Sequence, residues 1–293
     1  MTLTKLTPSK LAWLLSMPAF RRDPLGVAWR VMAWEVFRLL HRPVRYAYDE
    51  VFEVTLQPNE GASRLAYYFG VTEPELFAFY ERFLAPGMVV VDAGANIGLH
   101  SLFFSRRITP GGAVYAFEPD PGIFDRLVSH VKQNVLGQIK CFNVALGATP
   151  GFAEVVRDDA DTSRTSVRLA EAPQHASVAR VPIESLDNFA TRERVEKIDF
   201  LKVDVEGFEA EILRGAMCLL REGRIGVLQV EIDSKSLGRA GSCASSVLGL
   251  LEEAGYQLAF WDSRACVFRP GVEVAYNSFF VRVDTLANSA AEP

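Results

Sequence analysis

The chain has 293 residues, 49% hydrophobic, 11% aromatic and 23% charged, enough apolar material for one large core and too much for a disordered chain. Lys and Arg number 31 against 36 Asp and Glu, a formal charge of −5. No block of consecutive basic residues appears, which excludes nucleic-acid binding, resting as it does on phosphate neutralisation, as the main function. Cys141, Cys218, Cys243 and Cys266 stand far apart with no CxxC, so reduced core thiols are expected instead of a zinc site or a disulfide framework.

The first apolar stretch, Leu11 to Met17, is too short to span a bilayer, ends at Pro18 and lacks an A-x-A-like cleavage site. Neither a signal peptide nor a transmembrane segment is expected, and the expected location is cytoplasmic. Val27 to Leu40 (VAWRVMAWEVFRLL) reads as a helix apolar on more than half its circumference, with Arg21, Arg22, Arg30, Arg38 and Arg42 flanking or interrupting it. One reading is an interfacial membrane helix with a basic edge. The preferred one is a helix packed on its own domain or on a second subunit, which makes residues 1–85 an extension and a candidate homodimer contact. Residues 51–57 alternate as a strand. Thr72-Glu73-Pro74-Glu75 reads as a capping box, with Thr72 as N-cap, opening the helix ELFAFYERFL before Pro86-Gly87.

From Met88 strands and helices alternate. MVVVDAG reads as a strand buried on both faces, IGLHSLFFSRRI as a helix and AVYAFEP as a second strand. Asp120 and Pro121 open the next helix, ending before Gly137, and IKCFNVAL is a third strand. The rhythm breaks at residues 157–177, a polar insertion in which Asp158, Asp159, Asp161, Thr162, Ser163, Arg164, Thr165 and Ser166 offer hydrogen-bonding groups, either as a lid over a polyhydroxy acceptor or as an ordinary solvated loop. Short strands flank it at 152–156 and 178–183. IDFLKVDV, a helix from about Phe208 to Leu220, and GVLQVEI resume the pattern. A helix near Ser245–Ala254 and strands at Tyr256–Trp261 and Asn277–Val283 complete a catalytic domain over 86–284, with a frayed tail at 285–293. The pattern predicts an α/β fold on a mostly parallel sheet with right-handed crossovers.

Ligands of open α/β sheets bind at the carboxyl ends of the strands. The first such end is Asp92-Ala93-Gly94-Ala95-Asn96-Ile97-Gly98, whose glycines let backbone approach a ligand, with His100 two residues on. The second is Glu118, placed to accept from both hydroxyls of a ribose. A nicotinamide dinucleotide normally uses G-x-G-x-x-G, and here the first of those glycines is Asp92, a negative charge where a pyrophosphate would lie. S-adenosylmethionine has no phosphate but carries a cationic sulfonium and an ammonium group, which an acidic turn favours. An NAD(P)-dependent oxidoreductase and a non-catalytic binding protein remain as alternatives.

The next strand ends carry Lys202, Asp204 and Glu206, then Glu231 and Asp233. Charges on a strand buried on both faces need partners or a function. Asp204, Glu206 and Glu231 are expected to converge beside the transferred group. Asp204 and Glu231 are the candidate bases, Lys202 holds one of them ionised or orients the acceptor, and His100 is a rival base. The same carboxylates admit Mg²⁺, which nothing in their spacing demands.

VVDAGANIGLHS, FEPDP, SLDNF, IDFLKVDVEGFE and VLQVEI, in this order, resemble the FkbM-type S-adenosylmethionine-dependent methyltransferases over roughly Pro86 to Asp233. The resemblance implies a class I methyltransferase fold, Rossmann-like, with seven strands ordered 3-2-1-4-5-7-6 and the last antiparallel. It also implies methyl transfer, usually to a hydroxyl of a sugar or small natural product. By the motif match, Asp92, Gly94, Asn96 and Glu118 are donor-binding positions, and the same site takes in Gly98 and His100. Asn143 and Ala145 would lie near the adenine.

Overall fold

The computed structural model describes residue 15 and residues 17–158, 161–169 and 179–289. The chain divides into two compact units, residues 1–78 with 159–164, and residues 79–158 with 165–293. The division falls inside a helix and not at the 85/86 boundary that the sequence pattern suggests.

In the first unit a short helix α1 (Pro18–Arg22) leads into α2 (Pro24–Leu39), whose N-terminus is capped by the Asp23 side chain accepting from the Gly26 N–H. A hairpin of β1 (Val44–Tyr48) and β2 (Phe52–Leu56) and a helix α3 (Gly61–Phe69) follow. Val27, Trp34, Tyr48, Val54, Leu56 and Ala66 are fully buried, so α2 turns one face inward. Trp34 packs on Tyr67 at a ring-centroid distance of 5.3 Å.

The helix α4 (Pro74–Phe83) bridges the two units. It begins at Pro74, and the Phe77 N–H donates to the Glu73 carbonyl at 3.1 Å. In the second unit come β3 (Val89–Ala93), α5 (Leu99–Ile108), β4 (Ala113–Phe117), α6 (Pro121–Gln133), β5 (Ile139–Phe142) and β6 (Ala145–Leu146). The hairpin strands β7 (Gly151–Asp158) and β8 (Asp161–Leu169), β9 (Ala179–Glu184), α7 (Leu186–Glu193) and β10 (Ile198–Val203) follow. After them lie α8 (Glu209–Arg214), α9 (Met217–Arg221), β11 (Ile225–Glu231), α10 (Ser234–Arg239), α11 (Ala244–Glu253), β12 (Tyr256–Asp262), β13 (Val267–Pro270), β14 (Asn277–Arg282) and α12 (Val283–Ser289).

The main sheet has eight strands in the order β13-β12-β14-β11-β10-β3-β4-β5. Strands β5, β4, β3, β10 and β11 run parallel, and β14 is antiparallel to both β11 and β12. Without β13 this is the expected 3-2-1-4-5-7-6 arrangement. β13 is an eighth strand that extends the edge as a hairpin with β12. One face of the sheet carries Val91, Ala93, Leu201, Val203, Leu228 and Val230, packed in an extensive apolar core. On the other face Phe200 meets Phe79, Tyr80, Phe83 and Phe104 of α4 and α5.

Three further expectations change. The polar insertion, where described, is the β7–β8 hairpin of a second sheet ordered β6-β9-β7-β8, while 159–160 and 170–178 lie outside the described residues. The frayed tail is helical from Val283 to Ser289, with Leu286 buried, and 290–293 are not among the described residues. The four free thiols are not core residues: Cys218, Cys243 and Cys266 are exposed and Cys141 is half-buried.

Candidate active site

Alternation along three adjacent strands builds a buried polar row. Lys202 of β10 stands in register with Asp92 of β3 on one side and Gln229 of β11 on the other. None of the three is more than 1% exposed. Lys202 Nζ lies 3.5 Å from Asp92 Oδ1, and Ser101 Oγ donates to Asp92 Oδ2 at 2.6 Å. Gln229 accepts from the Tyr80 hydroxyl and donates to Asn277 Oδ1 at 2.9 Å. Asp92 Oδ1 takes no hydrogen bond and is compensated by the Lys202 charge alone, while the other contacts satisfy the row as a buried polar group requires.

Two residues further along, where β10 and β11 end, stand Asp204 and Glu231. Lys202 Nζ also donates to Asp204 Oδ2 at 3.0 Å, so one ammonium serves both aspartates. Burial pushes Asp204 toward its neutral form, but the Lys202 charge and a hydrogen bond from Glu231 outweigh it and hold the carboxyl below its usual range. Burial, followed by the Asp204 charge and the hydrogen bond between the two, drives Glu231 up to about 10. The pair therefore holds one proton near neutrality, on Glu231, and Asp204 is the carboxylate. Asp204 keeps 30% of its side-chain surface open, whereas Glu231 as a residue is only 6% exposed.

His100 lies edge-on to Tyr80 at 5.7 Å and stacks on Phe104 at 5.9 Å. Burial and the nearby Lys202 charge lower its pKa to about 3, so the imidazole is neutral and a poor proton acceptor. Glu206 lies near enough to Glu231 for its charge to help raise the Glu231 carboxyl, and its own side chain is engaged elsewhere. It takes a left-handed φ of 53° and accepts from Ser236 Oγ at 3.1 Å, beside the Asp233 cap of α10. Asp233 is likewise occupied as a helix cap. Among the described residues no group of three or more His, Cys, Asp or Glu is placed to hold a metal ion.

The turn after β3 is built around Gly94. Its φ is +81°, and a Cβ there would lie 1.8 Å from the Asp204 carbonyl oxygen. Asn96 N–H donates to Glu118 Oε2 at 2.9 Å and Asp120 N–H donates to Oε1 at 2.8 Å. Burial nonetheless pushes Glu118 up to about 8. Asn143 Nδ2 donates to the carbonyls of Glu118 and Pro119, both at 2.9 Å, and so pins the end of β4. Gly98, in a left-handed conformation, is the N-cap of α5. Phe117, Pro119, Ala93, Gly94, Val144 and Phe208 contribute to the lining of an apolar cleft that also includes Ala145 and Val205.

The chain's residues 92–258, more than half its length, match the family model described as "Methyltransferase FkbM domain". The chain belongs to the FkbM methyltransferase family. Similar relatives include Methyltransferase 1 of Beauveria bassiana (strain ARSEF 2860), 27% identical over 143 residues, covering 43% of this chain and 57% of that one. Methyltransferase sdnD of Sordaria araneosa is 29% identical over 191 residues, covering 53% and 73%. The 31-O-demethyl-FK506 methyltransferase FkbM of Streptomyces tacrolimicus is 28% identical over 158 residues, covering 45% and 60%. The chain thus spans between about half and three quarters of the length of these relatives. The family motifs fall on the strand ends described above: DAGANIG on the Gly94 turn, FEP on Glu118, and KVDVEGFE on Lys202, Asp204 and α8.

The FkbM assignment sets aside the dinucleotide reading. Asp92 does not repel a pyrophosphate as the sequence pattern suggests, because it is fully buried against Lys202 and Ser101 and presents no open charge to any ligand. The open acidic group is Asp204. Three residues of the site carry no mark in the sequence reading. Gln229 and Tyr80 complete the polar row, and Glu209, 1% exposed, accepts from the Gly207 N–H at 3.0 Å. The alternation Gln229–Val230–Glu231 held the signal for Gln229, since a polar residue on a strand buried on both faces needs a partner.

Proposed function

We propose that the chain is an S-adenosylmethionine-dependent O-methyltransferase acting on a hydroxyl of a small molecule such as a sugar or natural product. The observation that carries this reading is Asp204, an open carboxylate at the end of β10 braced by buried Lys202 and protonated Glu231. The relative from Streptomyces tacrolimicus, named for 31-O-methylation, supports oxygen as the acceptor atom.

The residues present fit the donor. The apolar cleft suits a flat adenine, Glu118 stands between two lining residues with lone pairs left for ribose hydroxyls, and open Asp204 complements a cation. Gly94, Asn96 and Glu118 would hold it, with Asn143 and Gly98 fixing the backbone around them. S-adenosylmethionine, when bound, supplies a methyl group already activated by its sulfonium.

The chain's own work is then alignment and proton transfer. Asp204 accepts a hydrogen bond from the acceptor hydroxyl, orients its lone pair, and takes the proton as the oxygen gains its new bond. Holding acceptor and donor in line accounts for about 7–11 kcal/mol of barrier, and the base for a further factor of about 10²–10⁴. Glu231 keeps its proton and donates to Asp204, while Lys202 fixes the carboxylate plane. Asp92 acts one step back by holding Lys202.

The test compares Asp204→Asn with Glu118→Ala. Asp204→Asn is expected to lower the yield of methylated product by about 10²–10⁴ with donor affinity retained. Glu118→Ala should weaken equilibrium binding of S-adenosylmethionine. Full turnover by Asp204→Asn would remove the base assignment, and unchanged affinity in Glu118→Ala would remove the donor assignment.

A further inference from the structure

The helix α2 hides its charges and shows its hydrocarbon. Leu25, Trp29, Met32, Val36, Leu39 and Leu40, spaced by four, three, four and three residues and ending one beyond the helix, are each between 51% and 83% exposed. The helix's charged side chains lie elsewhere and are occupied. Arg30 donates to the Tyr68 carbonyl at 2.9 Å and faces Asp23 at 3.6 Å, and Arg38 pairs with Glu35 at 2.8 Å. Among the described residues, every exposed position from Pro24 to Leu40 is therefore apolar. The stripe is about 24 Å long for a helix of 16 residues, and no described helix is long and apolar enough to cross a membrane. A continuous apolar surface of this extent marks a docking site.

Charge at its two ends selects the occupant. Before the helix Arg21 and Arg22 outnumber the exposed Asp23, and after it Arg42 is exposed beside His41, so each end carries net positive charge. A second copy could pair on this stripe with helices parallel or antiparallel, and in either arrangement basic ends would meet basic ends. An anionic lipid surface satisfies both ends at once: the apolar stripe enters the acyl boundary and the arginines stay at the headgroups. We propose that α2 is an amphipathic helix that docks the protein on anionic membrane surfaces, lying in the interface plane without crossing it.

The experiment is cosedimentation of the full chain with vesicles. Vesicles of phosphatidylcholine and phosphatidylglycerol in equal parts should retain the protein, those of phosphatidylcholine alone much less, and added salt should release it. The double variant Trp29→Glu with Met32→Glu should abolish retention with its thermal melt unchanged, since both positions are exposed. Arg21→Gln with Arg22→Gln should weaken retention about thirtyfold on anionic vesicles, at about a factor of five per arginine. No retention on anionic vesicles, or equal retention of the variants, overturns the proposal. So does light scattering that shows a dimer which Trp29→Glu with Met32→Glu converts to monomer, because the stripe would then be a contact between copies.

Discussion

Lys202 is 1% exposed, and a lone ammonium in that position would be very costly to the fold. It is tolerated because Asp92 and Asp204 flank it at 3.5 and 3.0 Å. Removing it leaves two carboxyl groups without their cation. Lys202→Met is therefore expected to destabilise the fold by about 3–5 kcal/mol, read from a denaturant melt. It should also shift catalysis, since the Lys202 charge lowers the Asp204 pKa and its loss must raise it. The acid limb of the pH–rate profile would move toward neutrality, which a purely structural lysine would not cause. Gly94 sets a second single-residue limit. A methyl group there meets the Asp204 carbonyl oxygen at 1.8 Å and must adopt a φ of +81°. Gly94→Ala should cost about 1–3 kcal/mol in backbone strain alone. It should also reduce turnover by displacing the Asp204 backbone, checked by a thermal melt and a methylation assay run together.

Among the elements, α6 has the clearest start signal. Asp120 Oδ1 accepts from Gly122 and Ile123 N–H at 2.8 and 3.0 Å, and Pro121 occupies the first turn without needing a partner for its nitrogen. Asp120→Ala is expected to lose about 0.5–2 kcal/mol, measured by thermal melting. That cap was legible because its signal is local, and so were the five parallel strands, each a largely apolar run with a polar residue at or beside its carboxyl end. Elements that depend on distant contacts were not. The expected helix from Phe208 to Leu220 is two helices, broken at Gly215, where a Cβ would lie 2.1 Å from the Gly147 carbonyl oxygen. The apolar spacing runs through the break unchanged, so periodicity carries no trace of it. The strand β13 is four residues long and ends in proline at the sheet edge, too short for alternation to register. In the site, Asp204, Glu231 and Lys202 were legible from strand alternation. The hydrogen bond that Glu206 accepts was not, because it turns on one left-handed residue and on Ser236, 30 positions away.

For the whole molecule, the acidic strand ends make stability depend on pH in an unusual direction. Burial is the leading cause that raises Glu118 to about 8, Glu209 to about 7 and Glu231 to about 10, from a reference of 4.5. Between 4.5 and those values the unfolded chain has released protons that the folded chain retains, so stability falls as pH rises. Asp204 works the other way, adding stability above 3.8 that is lost as acid protonates it. The expected maximum therefore lies at mildly acidic pH, with a decline across neutrality into the alkaline range. Each retained proton contributes about 1.4 kcal/mol per pH unit to that slope. Glu231→Gln separates this effect from a general alkaline loss, since glutamine cannot release a proton and its amide can still donate to Asp204. Thermal melts across the range should show the variant with the flatter alkaline arm, above the reach of Glu209 and Glu118 and up to about 10. Parallel arms in variant and parent would mean that Glu231 is already ionised in the folded protein. In that case Asp204 could not draw its hydrogen bond from Glu231, and the two carboxylates would repel each other at the end of β11.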